Sequence, residues 1–134
     1  MTIAYDREDD LGATEFIDVL LRSGLAARRP VDDRARIETM LANANLIVTA
    51  RDDGRLVGVS RALSDFAYCC YLSDLAVDRS CQRRGIGRRL IEETRRMAGP
   101  NSMCLLVSAP DAMDFYRTIG MPQSNAAFMY PRER

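Results

Sequence analysis

The residues with the most to offer chemically lie in one short run, Gln82-Arg83-Arg84-Gly85-Ile86-Gly87-Arg88. It follows an apolar strand ending Leu75-Ala76-Val77 and opens a helical pattern. Glycines at a helix start leave backbone N–H groups uncovered by any Cβ. The first amides of a helix have no intrahelical acceptor, and the helix dipole places partial positive charge there. Arg83, Arg84 and Arg88 add full charges. This combination suits a phosphate or pyrophosphate.

Two common phosphate motifs do not fit. No Gly-Lys-Ser/Thr follows the loop, so the Walker pattern is absent. A dinucleotide fingerprint would need a third glycine at position 90, which is Leu90. The plain alternative is a basic turn capping an ordinary helix. Gln82-Arg83-Arg84-Gly85-Ile86-Gly87, behind Leu75-Ala76-Val77 and with Arg88 following, resembles the acyl-CoA motif (Q/R)-x-x-G-x-(G/A) of the GNAT N-acetyltransferases. That resemblance implies acetyl-CoA as co-substrate, held by Gln82, Arg83, Arg84, Gly85, Ile86, Gly87 and Arg88. It also implies a bulge that splays the strand from its neighbour, with backbone contacts from Leu75 and Val77 beside Ala76.

A second stretch, Phe115-Tyr116-Arg117-Thr118-Ile119-Gly120-Met121, resembles the late F-Y-x-x-x-G-F segment of the same family. The implied role of Tyr116 is general acid toward the departing CoA thiolate. A phenol of ordinary pKa is protonated at neutral pH and can donate. The alternative role is packing on a helix face. Two positions depart from the family pattern: Ala109-Pro110 stands where many members carry Asn, and Met121 replaces Phe. An attacking amine must also lose a proton. With no His in the chain, the candidates are carboxylates, Tyr or water, and Asp74 is the best-placed carboxylate. Phe66, Tyr68, Tyr71 and Ser73 are candidates to line an acceptor groove or simply to pack the strand.

The elements that must position these residues follow from periodicity. Thr2–Asp6 reads as a short strand. Ala13, Phe16, Ile17, Leu20 and Leu21 form a helical stripe stopped by Gly24. Asp32 or Asp33 opens a second helix with Ile37, Met40, Leu41 and Ala44. Leu46–Ala50 and Leu56–Leu63 flank the turn Asp52-Asp53-Gly54 as a hairpin. Ala67–Val77 is a longer strand. Ile86–Ala98 is a helix, closed by Gly99-Pro100. Met103–Ser108 is a buried-type strand, Pro110 opens a short helix, and Ala126–Tyr130 is a last strand. The expected fold is α/β: a mixed, mainly antiparallel twisted sheet flanked by helices, with one parallel crossover and a splayed fourth/fifth strand pair. The GNAT fold has this element order, which implies one domain over residues 1–134.

Composition limits function. The chain has 134 residues and 19 residues of each charge sign, so its net charge is zero. That disfavours a nucleic-acid partner, and with it a toxin-like acetyltransferase acting on aminoacyl-tRNA. No apolar run approaches the ~20 residues of a membrane span, and no leader pattern is visible, so a soluble cytoplasmic protein is expected. Cys69, Cys70, Cys81 and Cys104 fit no metal spacing, so no metal is expected. The expected activity is acetyl transfer from acetyl-CoA to a primary amine on a small molecule or peptide. The other reading is an acyl-CoA-binding module without turnover. The acceptor has no legible motif, and a homodimer is compatible with the family.

Overall fold

The computed structural model describes residues 2–134. In chain order the elements are β1 (Ile3–Arg7), α1 (Ala13–Ser23), α2 (Arg34–Ala42), β2 (Leu46–Asp52), β3 (Arg55–Ser64), β4 (Cys69–Val77), α3 (Ile86–Ala98), β5 (Met103–Leu105) and α4 (Met113–Thr118). The strands form one sheet in the order β1-β2-β3-β4-β5. All neighbours are antiparallel except β4 and β5, which are parallel. Among the described residues no helix is long and apolar enough to cross a membrane.

Helices cover both faces of the sheet. Phe16, Val19 and Leu20 of α1 and Ile37 and Leu41 of α2 pack with Ile47, Leu56, Val59 and Ala76. On the other face Ile86, Leu90 and Ala98 of α3 pack with Leu46, Val48, Val57 and Ala62. Alternate residues of β2 thus feed opposite cores, as the period of a strand requires. Full burial of a side chain such as Phe16 or Leu90 contributes about 1.5–3 kcal/mol. The α1 stripe is rotated slightly from the expected one: Leu21 is exposed and Val19 is buried in its place.

Three strands differ from expectation. β4 begins at Cys69 rather than Ala67, because Asp65 Oδ1 accepts the amides of Ala67, Tyr68 and Cys69 and holds them in a turn. Those bonds hold the Asp65 carboxyl far below its ordinary range. β5 is confined to Met103–Leu105, since its pairing with β4 ends at Tyr71–Leu105. The last expected strand does not form. Ala126–Tyr130 is irregular, and Phe128 and Tyr130 lie in solvent at 98% and 101% exposure. A strand needs a partner edge and a covered face, and this segment has neither.

The turn from β4 into α3 is anchored by Asp78. Its carboxylate accepts from Arg22 Nη1 at 2.5 Å and from the Ser80 amide at 2.9 Å. Its own N–H donates to Val57 O at 2.8 Å. Burial pushes the Asp78 carboxyl up, but the bonds from Arg22 and Ser80 outweigh it, leaving the group at about 2. The folded value lies below the ordinary 3.8, so the stabilisation is complete above about pH 4 and fades as pH falls toward 2. Removing Arg22 leaves a buried carboxylate short of its main donor. Arg22→Ala is expected to cost about 1–3 kcal/mol in urea unfolding at pH 7. Part of that difference should disappear by pH 2.5, where the carboxylate protonates in the variant.

Candidate active site

The cleft begins with a single extra residue in β4. Arg61 pairs with Asp74, but Ala62 pairs with Leu72, so Ser73 is bulged. A bulge bends its strand and reverses which side chains face which core. Before it, Cys70 packs toward α3; after it, Leu75 and Val77 take that side and Ala76 joins the α1/α2 core. The bend also ends pairing with β5, so β4 beyond Leu72 has a free edge on that side. The Asp78 N–H points to β3, so by alternation the Leu75 and Val77 amides point away from β3, into the gap.

Asp74 lies directly after the bulge and is fully buried. Its two oxygens are taken by two guanidiniums: Arg29 Nε bonds Oδ1 and Arg61 Nε bonds Oδ2. Arg29 also donates to Ser73 O at 2.9 Å, and Arg61 to Ser73 Oγ at 3.0 Å and Met40 O at 3.2 Å. The residue best placed from sequence to take a proton is therefore a doubly paired buried carboxylate. Its negative charge is held by two cations, an arrangement that serves to fix Arg29, Arg61 and the bulge. Sequence reasoning assigned neither arginine to Asp74; Arg29 stood only among the residues of the loops that the family resemblance implies for the acceptor, with no role given. Arg61 did carry a signal, a charge inside the apolar run Val57–Ala62, which demands a buried partner. Arg29 carried none.

The phosphate-type loop lies at the end of the same strand. Gln82, Arg83, Arg84, Gly85 and Arg88 are exposed, while Ile86 and Gly87 are buried under the helix start. Arg83 and Gly85 both have left-handed backbones, φ +64° and +79°, which curl the chain around the α3 N-terminus. The first intrahelical bond runs from Arg89 N to Gly85 O at 3.0 Å, so the amides of Ile86, Gly87 and Arg88 have no acceptor within the helix. A Cβ on Gly85 would enter open space, so that glycine is there for its conformation. Gln82 faces back, its Nε2 donating to Val77 O at 3.2 Å. Its side chain ties the loop to the strand.

Gly87 has a different reason. A Cβ there would lie 2.9 Å from Cζ of Phe115. The ring of Phe115 uses that space and meets Tyr116 edge-on, with centroids 5.1 Å apart. The glycine thus lets α4 close against α3 and sets where Tyr116 stands. Tyr116 is half-buried. Burial pushes its hydroxyl above 10, with Arg29 pulling the other way, so it is a proton donor at neutral pH. Two thiols are poor nucleophiles: burial pushes Cys104 up to about 11 and raises Cys70.

A twisted sheet that parts between two parallel strands, with an anion-ready helix start at one end of the gap and a tyrosine in the helix after it, defines an acyltransferase-type α/β fold. Residues 25–129 match the family model of the acetyltransferase (GNAT) domain, and the chain belongs to the GNAT acetyltransferase family. Solved structures agree on the fold. A GNAT-family acetyltransferase from Streptococcus pneumoniae superposes with TM-score 0.74 at 19% identity, covering 99% of this chain and 100% of that one. The aminoglycoside N-acetyltransferase AAC(6')-Iy in complex with CoA gives 0.73 at 17%, covering 99% and 96%. An aminoglycoside acetyltransferase from an uncultured soil metagenomic sample, in complex with sisomicin, gives 0.69 at 20%, covering 98% and 97%.

The Gly87–Phe115 contact makes a sign prediction. Alanine is a better helix former than glycine by up to about 1 kcal/mol. Gly87→Ala is expected to lower the urea midpoint in the wild-type background, where the ring must give way. In Phe115→Ala it should raise the midpoint, because only the helix gain remains.

Proposed function

We propose that this enzyme transfers the acetyl group of acetyl-CoA directly to a primary amine of a small molecule or peptide. The observation that carries this reading is the gap between β4 and β5 with the Gly85–Gly87 helix start at its end. The pyrophosphate would lie on the amides before Arg89, with Arg83, Arg84 and Arg88 around it. The Leu75 and Val77 amides, fixed in direction by the bulge, would face the pantetheine and the acyl carbonyl. A pre-aimed N–H stabilises a developing oxyanion without reorganising. The CoA-bound and sisomicin-bound relatives support a CoA thioester and a small amine as the two substrates.

In the reaction the amine nitrogen forms a bond to the thioester carbon, and the carbon–sulfur bond then breaks. The thiolate takes the proton of the Tyr116 hydroxyl, the amine nitrogen releases its proton to solvent, and solvent returns a proton to Tyr116. Asp74 is assigned to hold Arg29, Arg61 and the bulge rather than to act as base. On that assignment Asp74→Asn lowers stability but leaves the ionisation seen in the pH–rate profile in place.

Two measurements test the reading. Saturating acetyl-CoA is expected to raise the melting temperature, since it binds only the native state; no shift would remove the acetyltransferase function. Tyr116→Phe keeps the ring against Phe115 and deletes one hydroxyl. Turnover is expected to fall about 10–100-fold, the low end of general acid catalysis because a thiolate leaves readily. The loss should be equal in kcat and kcat/KM, with acetyl-CoA affinity unchanged. Unchanged turnover would make Tyr116 a packing residue.

A further inference from the structure

We propose that the acceptor amine carries a carboxylate, as amino acids and peptides do, and that Arg29 receives it beside a groove between α2 and β3. The inference rests on the acetyl-transfer reading above and names its acceptor class.

The first observation is a charge imbalance. Arg29 and Arg61 share one carboxylate, and among the described residues no second carboxylate pairs with either guanidinium. The cluster therefore holds two positive charges against one negative charge in a mostly buried place. Such an excess is costly unless an anion joins it. Arg29 is positioned to accept that anion. A guanidinium has five N–H groups, and Arg29 uses three, on Asp74, Arg28 O and Ser73 O. Its side chain is 20% exposed, whereas that of Arg61 is 8% exposed. Its bonds to Asp74 and Ser73 O fix the guanidinium beside the bulge.

The second observation is the groove itself, about 530 Å³, lined by Arg36, Thr39, Met40, Asn43, Arg61 and Leu63 together with Asp33 and Ala35. Arg61 is common to the groove and to the Asp74 cluster, so the groove adjoins that cluster through one side chain. Its one carboxylate, Asp33, caps α2 by accepting the Arg36 amide at 3.1 Å. Arg36 adds a further exposed positive charge at the rim, where its Nη2 donates to Arg134 O at 3.1 Å. Met40 and Leu63 supply apolar walls. A polycationic acceptor would meet like charge here, and Asp33, the one carboxylate among the described lining residues, already caps α2. An α-amino acid or short peptide with an apolar side chain meets a guanidinium for its carboxylate and apolar walls for the rest.

The test compares matched acceptors in a thiol-release assay with acetyl-CoA: leucine against leucinamide, Leu-Leu against Leu-Leu-amide, and sisomicin and spermidine as polycations. The acid of at least one pair is expected to exceed its amide in kcat/KM by about 10-fold or more, the scale of a hydrogen bond to a charged group. Which pair does so separates amino acid from peptide. Both polycations should fall below that acid. Raising salt should weaken the acid and leave the amide unchanged. Arg29→Gln, and independently the exposed Arg36→Gln, should bring the acid-to-amide ratio toward one while the acetyl-CoA melting shift persists. Should no acceptor turn over, calorimetric binding of the same pairs in the presence of CoA gives the same comparison. Equal acids and amides, a preference for sisomicin or spermidine, or a ratio untouched by both arginine variants would overturn the proposal. Those results with the acetyl-CoA shift intact leave the transferase reading standing; loss of the shift in the wild type removes that reading instead.

Discussion

Asp74 between Arg29 and Arg61 is the interaction on which the cleft depends. A buried carboxylate left alone would be strongly unfavourable, and two guanidiniums with further bonds to Ser73 and Met40 make it tolerable. The pairing in turn requires the bulge. Were Ser73 paired in regular alternation instead of bulged, Asp74 would fall on the α3 face of the sheet, away from both arginines. Ion pair and bulge therefore stabilise each other. Their joint product is a strand that parts from β5 after Tyr71 and exposes a stretch of backbone to the gap.

The far end of the gap is organised by contacts of another kind. Asp78 ties the end of β4 to α1 through Arg22, and Gln82 ties the loop back to Val77. The left-handed Arg83 and Gly85 then turn the chain into α3. Gly87 acts on the opposite side of that helix, where its missing Cβ admits the ring of Phe115. One short run thus serves two partners. Its first glycine shapes the helix start, and its second sets the seat of α4 and so of Tyr116.

Much of this was legible in the sequence because it is local. The helical stripes, the Asp52–Gly54 turn and the Gly85–Gly87 helix start all declare themselves within a few residues. So does the strand leading into the loop, and with it the GNAT resemblance. The last strand was misread for the converse reason. Ala126–Tyr130 has the composition of a strand, but a strand exists only through a partner, and composition does not name one.

The sequence by itself determined the order of the elements as far as α4, the anion-ready loop and the family. Only the tertiary structure decided what Asp74 does. Its partners come from a connection 45 residues earlier and from a neighbouring strand 13 residues earlier. Whether they meet it depends on the parity of a strand, which one bulged residue reverses. No spacing in the chain encodes that parity, because it is set by how β3 and β4 pair and by which face α1 and α2 cover.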